Sequence, residues 1–273
     1  ASLQIIANIF IEDYLYGVLP YEMGNSSPRE ALKAQAVTAR TYTMRAMSAS
    51  QGRSYDVVDT TSDQVYHGTP SGSANCKAAV DATRGIVMRH GGQFSATFYT
   101  ATNGGQTESP GNAWGSASYS YLTVRDDPYD YANPASNVKT FSVPSQGALI
   151  HEPLMTLLFN KAKAQYPLAG RIELGNITAM IPHTPKHAVP SRLYTKLDFY
   201  MLLKVDGQDS SAILSFDIFA ELEANLSMSI STLKNELWSV KKTATGFTLE
   251  ARRFGHGIGM SQRGAMRMGD MGY

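Results

Sequence analysis

Tyr14-Leu15-Tyr16-Gly17-Val18-Leu19-Pro20-Tyr21-Glu22-Met23 is followed by a short polar stretch and then by Ser27-Pro28-Arg29-Glu30-Ala31-Leu32-Lys33-Ala34-Gln35-Ala36-Val37-Thr38-Ala39-Arg40. The first run is largely apolar and leaves one carboxylate, Glu22, at its end. The second opens with a helix-start pattern. Ser27 is placed to cap, Pro28 suits the first helical position, and Glu30 lies three residues after Ser27, as a capping box requires. A helix is therefore expected from Pro28 to about Ala49, stopped before Gly52. Its alanines let other backbone approach closely. Lys33, Val37, Arg40 and Met44 fall on one stripe. An arginine on a partly apolar stripe needs a partner, because an unpaired buried charge is costly.

Outward from this centre, residues 3–11 alternate loosely and predict a strand, and Asp13–Leu19 an apolar turn or helix feeding Pro20. Tyr55–Thr60 predicts a strand and Ser62–Ala74 a loop. Asn75–Thr83 predicts a helix ended by Gly85. Ile86–Met88 and Gln93–Thr100 predict a hairpin about His90-Gly91-Gly92, with Phe94, Ala96 and Phe98 on the core face. Asp126–Ser145, with its prolines, is expected to be a linker. Further helices are expected at Leu149–Ala164 and Ser215–Leu226, and strands at Ile172–Ile181, Leu193–Val205, Leu237–Val240 and Phe247–Arg252. Three alternating glycines in Phe254-Gly255-His256-Gly257-Ile258-Gly259 predict a tight loop, opening into a helix capped by Ser261. The fold class is α+β: a long helix packed on mixed or antiparallel sheets. It is expected as a single domain over 1–273, with residues 1–140 and 246–273 as the core and 145–245 as a lobe inserted before the C-terminal glycine-rich segment.

The chain has 273 residues, 43% hydrophobic and 17% charged, with a formal net charge of +1. That is enough for a sizeable core, and it gives no strong pull toward nucleic acid or acidic lipid. No apolar run approaches the roughly 20 residues of a membrane span. No signal peptide is read before Ile5, since Ala1-Ser2-Leu3-Gln4 leads straight into an apolar run. Cys76 is the one cysteine, which excludes an internal disulfide and any multi-cysteine metal site. Cys76 and His67 are too few for a structural zinc site, and His183 and His187 sit among prolines. No metal and no cofactor are expected.

Glu22 is the first candidate for chemistry. Glycosidic cleavage needs a proton delivered to a poor leaving group, and a carboxylic acid in a partly apolar setting can supply it. The ordinary alternative is a loop carboxylate, or a salt bridge to Arg29 or Arg40. Gln35 and Arg40 are either sugar contacts or structural groups. Asn103, in the Asn103-Gly104-Gly105 turn, is placed to read a sugar or simply to make the turn. Tyr99 and Trp114 can stack on sugar faces or pack. His256, between two glycines, is open to a ligand or satisfied by backbone. The glycine run lacks the lysine and spacing of a P-loop, and the nucleotide reading is rejected.

Four blocks in order carry a resemblance: Tyr14–Met23, Glu30–Tyr42, Phe98-Tyr99-Thr100-Ala101-Thr102-Asn103-Gly104-Gly105-Gln106-Thr107-Glu108, and Gly255-His256-Gly257-Ile258-Gly259-Met260-Ser261-Gln262-Arg263-Gly264-Ala265. Together they resemble the stage II sporulation protein D family, bacterial cell-wall glycan-cleaving enzymes, and their relatives the amidase enhancers. The resemblance implies a peptidoglycan lytic transglycosylase, cutting between N-acetylmuramic acid and N-acetylglucosamine to leave a 1,6-anhydro end. It places Glu22 as the catalytic acid/base and Gln35, Arg40, Tyr99, Asn103, His256 and Gln262 around the substrate. A zinc site found in some members looks absent with Cys76 alone. The implied partners are glycan strands and a cell-wall amidase, and the implied location is secreted, extracellular or in the cell envelope. Two other readings stand beside this one. The first is a non-catalytic glycan-binding module that stimulates an amidase. The second is a hydrolytic muramidase using Asp59, Asp63 or Glu108 as a second carboxylate.

Overall fold

A computed structural model describes residues 4–115 and 119–273. The first helix, α1 (Ile11–Glu22), holds Pro20 inside its last turn and ends at Glu22. Residues 4–10 are exposed and irregular rather than a strand; the remaining residue of that expected strand, Leu3, lies outside the described residues. Next comes α2 (Arg29–Ala49). The capping box does not form. Ser27 Oγ instead donates to Met23 O of the preceding turn at 2.6 Å, and Glu30 pairs with Lys33 at 2.7 Å. Closing the tight α1–α2 corner takes the serine that the pattern assigns to the cap.

Residues 55–60 form no strand. A helix, α3 (Ala74–Ala82), is followed by the short hairpin β1 (Arg89–His90) and β2 (Gln93–Phe94), and then by β3 (Tyr99–Thr100). Ser95, Ala96 and Thr97 are all buried, so the expected in-and-out alternation fails. The chain here is irregular, and Thr97 Oγ1 turns inward to donate to Thr38 O of α2 at 2.9 Å. After α4 (Pro110–Trp114), α5 (Pro128–Ala132) and β4 (Val138–Pro144) occupy the stretch expected to be a linker. Asp127 caps α5, accepting from Tyr129 N and Asp130 N.

The next segment runs α6 (Glu152–Gln165), β5 (Ile172–Pro185), β6 (Tyr194–Val205), β7 (Gln208–Asp217) and α7 (Glu223–Asn225). Here Leu197, Phe199, Met201 and Leu203 of β6 alternate inward, as do Ala212, Leu214 and Phe216 of β7. Leu154, Leu158 and Ala162 of α6 belong to the same buried cluster. The helix expected over Ser215–Leu226 is instead the end of β7, one π-helical turn and α7. Ile218, Leu222 and Leu226 are nevertheless all buried.

The chain closes with β8 (Leu237–Lys242), β9 (Gly246–Arg252), β10 (Met260–Ser261) and α8 (Gln262–Asp270). Three-stranded antiparallel sheets are ordered β4-β9-β8 and β5-β6-β7, while β10 pairs parallel with β3. The fold is α+β. One apolar cluster joins both three-stranded sheets to α6, and a second joins α1, α2 and α3.

Candidate active site

Glu22 is half-buried at the C-terminal end of α1. Its Oε1 accepts from Val65 N at 3.3 Å, and its Oε2 from Gln262 Nε2 at 3.2 Å. Three distant segments thus meet on one carboxylate. The loop bearing Val65 reaches it because Gly17 has no Cβ. A methyl group there would overlap the Tyr66 ring, which lies against α1 and stacks on Tyr14 at 5.2 Å. Gln262 reaches it because Ser261 caps α8, accepting from Gly264 N at 2.9 Å, one residue after β10 pairs with β3.

Two buried hydroxyls feel the charge of the carboxylate. The Tyr99 hydroxyl closes no hydrogen bond among the described residues. Burial and then the neighbouring Glu22 charge push its ionisation well above the ordinary tyrosine value. The Tyr14 hydroxyl is also enclosed and unpartnered among the described residues. Burial raises its pKa first, followed by the neighbouring Asp63 charge and, lower in order, that of Glu22. Both phenols therefore remain protonated donors beside an acceptor. Asp63 is held on the far side, accepting from Tyr42 OH at 2.7 Å and Val58 N at 2.9 Å. Val65, Tyr14 and Tyr42 are not among the sequence-derived candidates, and Asp63 is among them only as a second carboxylate for hydrolysis. Residues 62–74 read as plain loop, and Tyr14 as one more apolar position in its run.

The other expected site residues divide. Tyr99 and Gln262 lie at Glu22. His256 is one step removed. Its ring accepts from Ile258 N at 3.0 Å on Nδ1 and lies 5.0 Å from the Trp114 ring. Burial, with the Arg253 charge nearby, pushes its pKa down to about 4, so the imidazole is neutral at ordinary pH. Gln35 is fully buried, and both atoms of its amide lack a partner among the described residues. No hydrogen bond joins it to Glu22.

Arg40 and Asn103 are placed as structural groups. Arg40 is 1% exposed. It grips Glu12 with two bonds of 3.0 and 2.7 Å, and its remaining N–H groups reach Val80 O, Ile86 O and Thr83 Oγ1. The pair ties α2 to α1 and to the end of α3. Of the two roles open to Arg40, anchor and substrate contact, this geometry supplies the anchor. Asn103 is fully buried. It donates to Asp127 Oδ2 at 2.8 Å and accepts from Gly105 N at 2.9 Å. Arg253, which the sequence does not single out, is also fully enclosed. It donates to Asn103 O and Gln106 O at 3.0 and 2.9 Å, which fastens the glycine-rich block to the Asn103 turn.

Two cavities flank the long helix. The larger, about 890 Å³, is mainly apolar and includes Val37, Met88, Phe98 and Met260 in its walls. The smaller, about 570 Å³, is lined by rings and Arg45. Neither includes Glu22, whose carboxylate lies at the surface between α1 and α8. The Cys76 thiol is buried, and that burial pushes it up to about 11, which is an inert core setting rather than a nucleophile's. Among the described residues no group of three His, Cys, Asp or Glu side chains converges as a metal site. No helix there is long and apolar enough to cross a membrane.

The sequence model described as stage II sporulation protein matches residues 1–90. The chain is 31% identical to stage II sporulation protein D of Bacillus amyloliquefaciens, over 98% of its own length and 70% of that protein. It belongs to the stage II sporulation protein D family. Membership places it among cell-wall-related sporulation proteins. The chain is also 32% identical to an uncharacterized protein of Brachyspira hyodysenteriae and 28% identical to the amidase enhancer of Bacillus subtilis strain 168. It covers 98% and 94% of itself in these matches, but spans 63% and 38% of those two relatives. The family model covers α1, α2, α3 and the Val65 loop, so it includes Glu22 and leaves out Gln262, the residue that completes the carboxylate's hydrogen bonds.

Proposed function

We propose that this member of the family cleaves peptidoglycan glycan as a lytic transglycosylase, with Glu22 as the single acid and base. The observation that carries the reading is the half-exposed Glu22 carboxylate, oriented by one donor on each oxygen and flanked by the protonated Tyr14 and Tyr99 hydroxyls. Glu22 first gives its proton to the glycosidic oxygen between N-acetylmuramic acid and N-acetylglucosamine. As carboxylate it then takes the proton of the muramoyl C6 hydroxyl while that oxygen bonds to C1. The products are a 1,6-anhydro end and a free 4-hydroxyl, and no water enters.

The other carboxylates favour this route over hydrolysis, which needs a second group to activate water or attack the sugar. Both oxygens of Asp63 are already engaged. Glu108 is 2% exposed and is filled by Ser109 N, Asn112 Nδ2 and Ser191 Oγ. Asp59 is exposed on a surface loop.

Purified protein incubated with cell walls should release fragments with anhydro ends by mass spectrometry, and Glu22→Gln should lower the rate at least a hundredfold while leaving the melting temperature in place. Undiminished release by Glu22→Gln would remove Glu22 from the chemistry, and reducing ends would make the enzyme a hydrolase. The amidase enhancer relative motivates a second reading, a glycan-binding module that stimulates a cell-wall amidase. It requires no product from the protein alone and a faster amidase when the two are mixed.

A further inference from the structure

The larger cavity beside α2, about 890 Å³, has no part in the chemistry proposed for Glu22. Its volume falls within the usual range of small-ligand sites, roughly 300–1,000 Å³. Val37, Met88, Ala96, Phe98, Leu122 and Met260 give it apolar walls. The polar side chains among them are spent on the protein itself. Thr38 Oγ1 donates to Ala34 O at 2.8 Å, Thr97 Oγ1 to Thr38 O at 2.9 Å and Thr83 Oγ1 to Ala79 O at 2.9 Å. Tyr121 OH accepts from Ala96 N at 2.8 Å, and Thr107 Oγ1 donates to Thr123 O at 2.9 Å. A sugar ring buried here would give up water at its hydroxyls and find few partners in exchange, which is costly. An alkyl chain has no such requirement, and the flexible thioethers of Met88 and Met260 adapt to its shape.

The mouth of the cavity is cationic. Lys33, Arg89 and Arg125 line it, and both arginines are exposed. Lys33 is answered by Glu30 at 2.7 Å, which occupies the one carboxylate of the lining among the described residues. The arginines reach only neutral groups. Arg89 Nη1 donates to Gly92 O at 2.9 Å, and its guanidinium lies 4.4 Å from the centre of the Phe94 ring. Arg125 Nε donates to Thr123 Oγ1 at 3.1 Å. Among the described residues neither has a carboxylate within ion-pair distance. Guanidinium forks match the oxygens of a phosphate. We infer that the cavity binds a free single-chain amphiphile with a phosphate head, its chain against Val37 and the two methionines and its head held by Arg89 and Arg125. The spent polar groups inside select an alkyl chain over a sugar, and the unanswered cations at the mouth select an anionic head over a neutral one. Nothing in this inference depends on the role of Glu22.

The test titrates the protein with octyl, decyl and dodecyl phosphate below their micelle concentrations, and with decanol as the neutral partner of decyl phosphate. Calorimetry gives affinities, and methyl NMR of labelled methionines gives the place. Affinity should rise about tenfold for every two methylenes added, as apolar burial requires. Decyl phosphate should bind about tenfold more tightly than decanol, the scale of one charge-assisted contact. The double variant Arg89→Gln/Arg125→Gln should bring the two within about twofold and leave decanol unchanged. Raising the salt concentration tenfold should narrow the same gap in the unsubstituted protein, a readout that needs no substitution. The Met88 and Met260 methyls should shift while the exposed Met155 and Met271 methyls stay in place. The inference is overturned by affinity that ignores chain length, by equal binding of phosphate and alcohol, or by a gap that survives the double variant or high salt. It is also overturned by methyl shifts spread over the whole surface, by binding to phosphatidylglycerol vesicles with none to the free amphiphiles, or by displacement of decyl phosphate by an N-acetylglucosamine tetramer. Release of anhydro ends is measured separately, so the reading of Glu22 and this one can fail independently.

Discussion

Replacing Arg40 with methionine separates an anchor from a substrate contact. Methionine keeps much of the volume and removes the charge. The Glu12 carboxylate, 8% exposed, would then retain one donor, Gly85 N at 3.2 Å, and the carbonyls of Val80 and Ile86 would each lose one. Breaking a buried ion pair from one side costs about 3–5 kcal/mol. For a chain of this size, about 4 kcal/mol lowers the melting temperature by roughly 10 °C. The double variant Glu12→Gln/Arg40→Met carries no stranded charge and should be more stable than Arg40→Met by about 2 kcal/mol. Urea titrations give the free energies, and anhydro-end release at a temperature where every variant is folded gives activity, expected within about threefold of the parent. If Arg40→Met melts with the parent and loses a hundredfold in release, the guanidinium serves the substrate and the anchoring argument fails.

Two other perturbations test the frame around the site, beside the loss of activity expected for Glu22→Gln. Gly259→Ala should disrupt the parallel pairing of β10 with β3. Its φ is +75°, and a Cβ there would be driven into the Phe98 carbonyl oxygen, so amides of residues 260–262 should lose hydrogen-exchange protection and Gln262 its place on Glu22. The buried Glu223, pushed up to about 7 by burial and by its neighbour Glu236, keeps its proton in the folded chain at a pH where the unfolded chain has lost it. That contribution to stability is complete below about pH 4.5 and disappears as pH rises through 7, with a slope of up to about 1.4 kcal/mol per pH unit. Glu223→Gln should flatten the pH dependence of the urea midpoint between pH 5 and 8, since an amide does not titrate.

Local pattern was most informative where one face of an element decides its structure. The long helix, the Ser261 cap and the alternation of β6 are legible because apolar spacing or a single capping oxygen fixes each. The reading failed where tertiary contacts compete with local chemistry. Ser27 has the right position for a cap, yet the corner between α1 and α2 uses its hydroxyl on Met23 O. The stretch containing β7 carried its own signal. Asp206 and Gly207, both at positive φ, form the two-residue turn that announces a hairpin, ahead of Ala212, Leu214 and Phe216. At the site, Glu22 was recognisable only through ordered blocks of sequence, because one glutamate in a loop has many ordinary uses. Val65 could not be found from sequence at all, since it contributes a backbone N–H and any side chain would do. Arg40 and Asn103 show the reverse. Both lie in the blocks that carry the family resemblance, and both spend their polar atoms on holding the protein together.

The bond from Gln262 to Glu22 spans 240 positions in the chain, and the two-residue β3–β10 pair beneath it joins residues farther apart in sequence than any pairing in the three-stranded sheets. Closure over such a distance is entropically late and slow compared with forming α1 and α2. During synthesis Glu22 emerges well before Gln262, the residue that orients it. Until the segment carrying Gln262 has docked, one oxygen of the Glu22 carboxylate lacks the donor that aims it.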